Sequence, residues 1–306
     1  MRGSGSLILC YHRVGEPEDD PFQLCVTPTN FAAHLDEIAR HGEPSTLAEL
    51  PNPSRRPRVV VTLDDGYVDN LTNALPIAEA KGVPITVFVT SGALGNGHRE
   101  FWWDRLGTLL RSRPSGIREI CLPTSEGTVR IGLGASSASD DLQAVRRHLL
   151  PLPVAEINRV LDAVSEQWGT PAASPSDARP LTPAELVQLA ASEMVTIGAH
   201  TVDHVRLRGL PPQEQQQTVS SSKEELERLS GQVITHFAYP YGGTDSFDDD
   251  SVDAVRSAGF ETACTTVPGN AKPTSDPHRL PRRIVMNWSS LRFRVGWERW
   301  RLVSGH

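Results

Sequence analysis

The chain has 306 residues, 38% of them hydrophobic and 22% charged, with a net charge of −7 and a pI near 5.8. That composition belongs to a folded globular protein and is far from fibrous or disordered classes. An acidic balance, with no basic tract beyond the short Arg279–Arg283 cluster, argues against nucleic acid as a partner. Cys10, Cys25, Cys121 and Cys264 are scattered without CxxC spacing. They read as free thiols in a reducing compartment, with two disulfides as the alternative. Behind the small, polar Met1–Ser6, the apolar run Leu7–Cys10 is too short for a signal-peptide core or a membrane span. The expected location is cytoplasmic, although a chain that had lost its leader would look the same.

Along the chain, short apolar runs alternate with helical periodicities. Strands are expected at Leu7–Tyr11, Val59–Leu63, Ile85–Thr90, Val195–Ala199, Ile234–Tyr239 and Glu261–Thr265. Helices are expected near Thr29–His41, Asn70–Lys81, Pro183–Ser192, Gln213–Leu229 and Asp249–Ala258. The alternation implies βα units and a largely parallel sheet. From about 95 to 180 the rhythm breaks. Helical patches at Phe101–Arg113, Asp140–Leu149 and Val154–Trp168 suggest a mainly helical insertion, and Pro171–Pro180 reads as a flexible return. A last helix is expected over Ser289–Val303, so that residues 1–306 form one barrel domain with this insertion.

The run Val59-Val60-Val61-Thr62-Leu63-Asp64-Asp65-Gly66 drives an apolar strand into two adjacent carboxylates. Buried carboxylates without partners cost several kcal/mol, so such a pair points to a metal, a cation or a proton. The plainer alternative is a solvated Asp-Asp-Gly turn. Just past another expected strand lie His200 and His204, four residues apart. Taken alone they are two ordinary loop histidines. Together with an aspartate from the doublet they make a three-ligand site with an open position for water, and the second carboxylate is left as a base. Phe237-Ala238-Tyr239-Pro240-Tyr241-Gly242-Gly243 suits an aromatic wall of a sugar pocket, or else is a plain strand-to-loop transition. Trp102 and Trp103 offer a sugar platform, or else pin the insertion in place. His12 ends the first strand, and Arg282 and Arg283 lie in a short strand-like run, Leu280–Val285.

Taken together, the Tyr11-His12-Arg13-Val14 run, TLDDGY, HTVDH, FAYPYGG and LPRRIV resemble the polysaccharide deacetylase (NodB-homology) superfamily. The resemblance covers Leu7 to about Thr90 and Val195 to about Val285. It implies a seven-stranded, TIM-like distorted (β/α) barrel and metal-dependent deacetylation, with a divalent metal ion, Zn²⁺ being the expected one. It makes Asp64 the base, and Asp65, His200 and His204 the metal ligands. Three departures stand out. Leu63 replaces the usual Phe, no arginine precedes Pro240, and no Leu-x-His follows Leu280. Arg282 is therefore expected to orient Asp64, and His12 to supply the acid. Tyr239, Pro240, Tyr241 and Trp103 are the expected substrate contacts. The implied substrate is an N-acetylated carbohydrate, such as a saccharide, sugar nucleotide or glycosylated small molecule. The alternatives are hydrolysis of a non-sugar amide (a formamide or cyclic imide) and a non-catalytic saccharide-binding barrel.

Overall fold

Arg58–Leu63 is extended because valine and threonine, branched at Cβ, favour the pleated conformation, and all six residues are buried. In a computed structural model, which describes residues 5–16, 20–52, 54, 56–94, 100–134, 137–170 and 178–302, this strand lies in the middle of a parallel sheet. In chain order the sheet's main strands are β1 (Leu7–Tyr11), β2 (Arg58–Leu63), β3 (Ile85–Val89), β4 (Val195–Ala199), β5 (His236–Ala238), β6 (Thr262–Cys264) and β7 (Arg283–Ile284). Their spatial order is β6-β5-β4-β3-β2-β1-β7, and a two-residue strand, Glu43–Pro44, also pairs with β2. Strands buried on both faces read as continuous apolar runs, which is why the central ones were legible in the sequence.

The sheet curls, and the segment 280–285 ties its ends together. Thr265 N–H donates to the Leu280 carbonyl beside β6, and Val285 N–H donates to the Cys10 carbonyl on β1. One face carries Ile8, Val60, Phe88, Ala238 and Cys264, which cluster with Leu47, Ala271 and Leu280. The alternate residues, including Leu7, Leu9, Val59, Val61 and Val87, join the larger core with Phe31, Leu35, Ala78, Leu186, Val219 and Val255 of the helices. Period-two alternation thus splits each strand between the inside of the curl and its helical jacket. Each fully buried Val or Leu contributes about 1.5–3 kcal/mol.

The chain divides into two compact units, 1–96 with 181–306, and 97–180. In the first unit the helices fall close to their expected places, at Pro28–His41, Leu75–Lys81, Pro183–Ala190, Pro212–Ser230, Asp249–Ser257 and Ser290–Leu302. One differs: Asn70–Ala74 opens as a π-turn before the α-helix begins. The second unit contains the three expected helices, at Trp102–Arg111, Ala138–Leu149 and Val154–Trp168. It also contains an antiparallel hairpin, Glu119–Thr124 with Gly127–Gly132, an addition to the expected helices that the sequence reading left out. Ile120 and Leu122 alternate into that unit's core, but Pro123 and the flanking glycines hide the strand signal in the sequence. Most of the expected return segment, 171–177, lies outside the described residues. All four cysteines are free. No helix among the described residues is long and apolar enough to cross a membrane.

Two buried histidines make this fold sensitive to acid. His34 Nε2 donates to the Trp288 carbonyl at 2.7 Å, while Nδ1 takes the Tyr11 hydroxyl at 3.3 Å. His236 shares a 2.9 Å hydrogen bond with Thr262. Burial lowers each imidazole from 6.5 to about 4. Because the unfolded chain binds these protons more tightly, stability is complete above pH 6.5 and is lost as the pH falls towards 4. Each group accounts for about 3 kcal/mol of that loss. Urea denaturation from pH 7 to pH 4 should show this slope, and His34→Gln or His236→Asn should each remove about one proton from it. An unchanged slope in both variants would refute the assignment.

Candidate active site

Six of the residues singled out in the sequence meet at the C-terminal ends of the barrel strands. Asp64 and Asp65 directly follow β2, and both are buried. Asp65 and Gly66 take left-handed backbone angles, φ +75° and +81°, which turn the chain sharply as it leaves the strand. A left-handed aspartate is uncommon and costs of order 1–3 kcal/mol, so the surrounding packing must impose it. The turn sends the two carboxylates in different directions.

Asp64 faces Arg282. Nη1 donates to Oδ1 at 2.6 Å and Nη2 to Oδ2 at 2.7 Å, a two-pronged pair with the guanidinium fully buried. Two further donors are used: Nη1 reaches the Thr62 hydroxyl at 3.0 Å, and Nε reaches the Thr265 carbonyl at 2.9 Å. The guanidinium lies over the Phe88 ring, 5.5 Å from its centroid. Burial alone would raise the Asp64 carboxyl, but Arg282 outweighs it and holds the group below the usual carboxylate range. In return Asp64 raises Arg282 against the effect of burial, so both partners stay charged. The Cys10 thiol donates to Asp64 Oδ2 at 3.5 Å, and burial pushes that thiol well up, so it remains protonated.

Asp65 faces the two histidines. Its Oδ1 lies 3.5 Å from His200 Nε2 and 3.3 Å from His204 Nε2, and all three side chains are buried. His200 Nδ1 sits 2.7 Å from the Ala238 carbonyl. A carbonyl only accepts, so Nδ1 carries a hydrogen and Nε2 is the nitrogen turned to the carboxylate. Asp65 Oδ1 is buried and has no well-formed hydrogen bond among the described residues. Burial would raise the Asp65 carboxyl, yet the imidazoles opposite bring it well below its ordinary range, while burial lowers His204 in spite of Asp65. A carboxylate and two imidazole nitrogens converging on one point are what a divalent cation requires, and Asp/His₂ is a hydrolytic zinc donor set. The residues present fit that group.

The loop holding His204 is itself tightly constrained. Thr201 and His204 are left-handed, φ +63° and +53°, and Ser91 and Gly92 donate backbone hydrogen bonds to the Thr201 and Val202 carbonyls. A Cβ on Gly92 would come within 2.7 Å of the Val202 oxygen, so only glycine permits this approach.

His12, half-buried, follows β1. Donor atoms of Cys10, His12 and Asp64 all lie within 4.8 Å of one another. Tyr241, half-buried and left-handed at φ +62°, sets its ring edge-on to His204 at 4.7 Å. The other expected substrate contacts are placed differently. Tyr239 faces the core: its ring stacks on Phe247 at 4.4 Å and its hydroxyl donates to the His278 carbonyl. Strand alternation turns it away from Ala238 and Pro240, which corrects its assignment as a sugar-facing wall. Pro240 is buried in the turn. Trp103 belongs to the second unit, where it is buried and stacked on Phe101 at 4.6 Å, so the expected open platform gives way to a packing role. Thr62 and the carbonyls of Thr265 and Ala238 were missed. Thr62 alone had a signal, since it lies two residues before Asp64 on the same strand face.

Comparison with known proteins agrees with this geometry. A family model for polysaccharide deacetylase matches residues 145–263, a span that includes both histidines. YxkH of Bacillus subtilis (strain 168), whose name assigns it to the polysaccharide deacetylases, is 21% identical over 282 residues, covering 90% of this chain and 69% of its own. IcaB from Ammonifex degensii superposes with a TM-score of 0.62 at 17% identity, covering 100% of this chain and 99% of that one. Streptococcus pyogenes deacetylase PplD, solved in complex with acetate, gives 0.57 at 17% identity, covering 95% and 97%. The two structural matches show a shared fold, a curled seven-stranded parallel sheet of the NodB distorted-barrel type. The family model and the curated relative make the chain similar to polysaccharide deacetylases over the spans they match, and the solved structures share its fold.

Removing Arg282 should strand a buried carboxylate. Arg282→Leu is expected to cost roughly 3–5 kcal/mol in urea denaturation. Asp64→Asn in the same chain should recover part of that loss. A cost below about 1 kcal/mol would mean that the pair does not hold its part of the barrel together.

Proposed function

We propose that this protein is a metal-dependent N-deacetylase of an amino-sugar-containing substrate, with Asp64 as base, His12 as acid and Arg282 as the residue that orients the base. One observation carries the reading: two adjacent carboxylates have opposite partners, Asp64 a guanidinium and Asp65 two imidazole nitrogens. Asp65, His200 and His204 would hold the cation. When bound, a divalent cation supplies Lewis acidity to the acetyl carbonyl and makes a water acidic enough, pKa about 7, to attack at neutral pH.

The chain's own groups then divide the protons. Asp64, ionised and fixed by two hydrogen bonds from Arg282, accepts the proton from the attacking water. His12 gives one to the departing nitrogen, since an amine leaves poorly without it. Tyr241, beside His204, offers a ring edge to the substrate, and its backbone amide is our candidate donor to the developing oxyanion. Similarity to polysaccharide deacetylases supports a sugar amide over a formamide or cyclic imide.

The test uses a panel of N-acetylated saccharides, nucleotide sugars and aminoglycoside-like compounds, assayed for free amine and acetate with and without chelator. Asp64→Asn should retain one metal per chain and lose deacetylation by roughly 10²–10⁴-fold. Asp65→Asn should lose the metal itself, read by elemental analysis. Full activity in both variants would refute the reading, and release of formate or a ring-opened product would move it to the non-sugar amides.

A further inference from the structure

The helix that follows the carboxylate doublet begins with an aspartate that does not cap it. Asp69 stands at the N-cap position, where an Asp side chain ordinarily accepts from the first turn's backbone amides, and it makes no such bond. Its carboxylate goes to the end of β1 instead. Oδ2 accepts from Arg13 Nε at 2.9 Å, and Oδ1 accepts from the Val14 backbone amide at 3.2 Å and from Asn70 Nδ2 at 3.1 Å. Asn70 Nδ2 donates in turn to the His12 carbonyl at 2.9 Å, and Asn73 Nδ2 donates to the Val14 carbonyl at 2.7 Å. The Arg13 guanidinium lies over the Tyr67 ring, 5.1 Å from its centroid. His12, Arg13 and Val14 are thus each gripped by the stretch 67–73. Asp69, Asn70 and Arg13 are buried, and the π-turn at Asn70–Ala74 falls where Asn70 and Asn73 must both reach the strand. A buried ion pair adds little net stability, so fold stability is a weak reason for it. A π-turn directly after a functional loop is a recurrent mark of a site.

We propose that Asp69, acting with Asn70, is the positioning residue for His12. This rests on His12 being the acid of the proposed reaction. Asp69 touches no reacting atom. It fixes the backbone from which the imidazole projects, and a displacement of about 1 Å at such a group can cost on the order of 10²-fold in rate. The ten residues Asp64–Asn73 then carry the base, one metal ligand and the seat of the acid, so one segment sets their relative placement.

The test separates acid assistance from general damage by the leaving group. An acetamide needs its nitrogen protonated, whereas p-nitrophenyl acetate expels a stable phenolate without help. His12→Gln and Asp69→Asn should each lower kcat/KM for the acetamide by 10- to 100-fold, leave the ester within about threefold, and keep the bound metal. The double variant should match His12→Gln alone. Asn70→Ala should shift the same ratio less, and it serves if Asp69→Asn folds poorly by circular dichroism. Equal losses on both substrates, or a further amide-selective loss in the His12→Gln background, would overturn the positioning role while leaving the acid assignment intact. An unchanged acetamide rate in His12→Gln would overturn the acid assignment and the positioning role with it. If the wild-type protein hydrolyses neither substrate, imidazole ¹H–¹⁵N spectra decide. The His12 resonance, assigned by its loss in His12→Gln, should shift or broaden in Asp69→Asn, and an unmoved line would overturn the proposal.

Discussion

The interior of the barrel is organised around one guanidinium. Arg282 is fully buried, and a buried charge is tolerated only when it is paired and its donors are used. Here three nitrogens serve four acceptors: both Asp64 oxygens, the Thr62 hydroxyl and the Thr265 carbonyl. Those acceptors come from β2 and from the residue after β6, while Arg282 itself lies on the segment that ties β6 to β1. Closing the sheet and orienting the carboxylate are therefore one event. Phe88 supplies an aromatic face below the cation, and the protonated Cys10 thiol adds a weak donor to the same carboxylate.

This arrangement has a chemical consequence. A carboxylate held below its usual range stays ionised but is a weaker base. It suits a proton source that is already acidic, such as water on a divalent cation, and would serve poorly against unactivated water. The neighbouring carboxylate is set for that cation, with its oxygen opposite two imidazole nitrogens in a buried position. Asp65, Thr201, His204 and Tyr241 all take left-handed backbone angles. Non-glycine residues in that region cluster where packing forces side chains into a fixed convergence. The strain is spread over three loops, each anchored at a strand end.

What the sequence revealed, and what it concealed, follows from the range of each signal. The carboxylate doublet and the HxxxH spacing are local and come after apolar runs, so the two halves of the site could be read directly. Arg282 could be proposed because no arginine precedes Pro240. Its inward orientation, against the partly exposed Arg283 beside it, depends on the pairing of 280–285 with β6 and β1, which no local pattern encodes. Tyr239 was misread because an aromatic-proline-aromatic run suggests a wall, whereas strand parity sends residues 239 and 238 to opposite faces. The hairpin of the second unit was hidden by a proline within the strand. Acceptors such as the Ala238 carbonyl belong to the backbone and leave no trace in residue identity.

Register explains why an acid from the first strand is chemically sensible. β1 and β2 pair in parallel with Tyr11 opposite Leu63, and the Asp64 amide donates to the Tyr11 carbonyl at 3.0 Å. The next residues outward, His12 and Asp64, therefore emerge side by side, about one strand spacing apart. Donor atoms of the two side chains lie within 4.8 Å, a gap that one water can bridge. In the proposed reaction Asp64 ends a turnover with one proton too many and His12 with one too few. Neighbours on paired strands can cancel that difference by a short relay, without exchanging protons separately with bulk solvent. A C-terminal histidine brought in from elsewhere in the barrel would have no such register to rely on. The position of His12 thus follows from the same pairing that sets β1 beside β2 in the sheet.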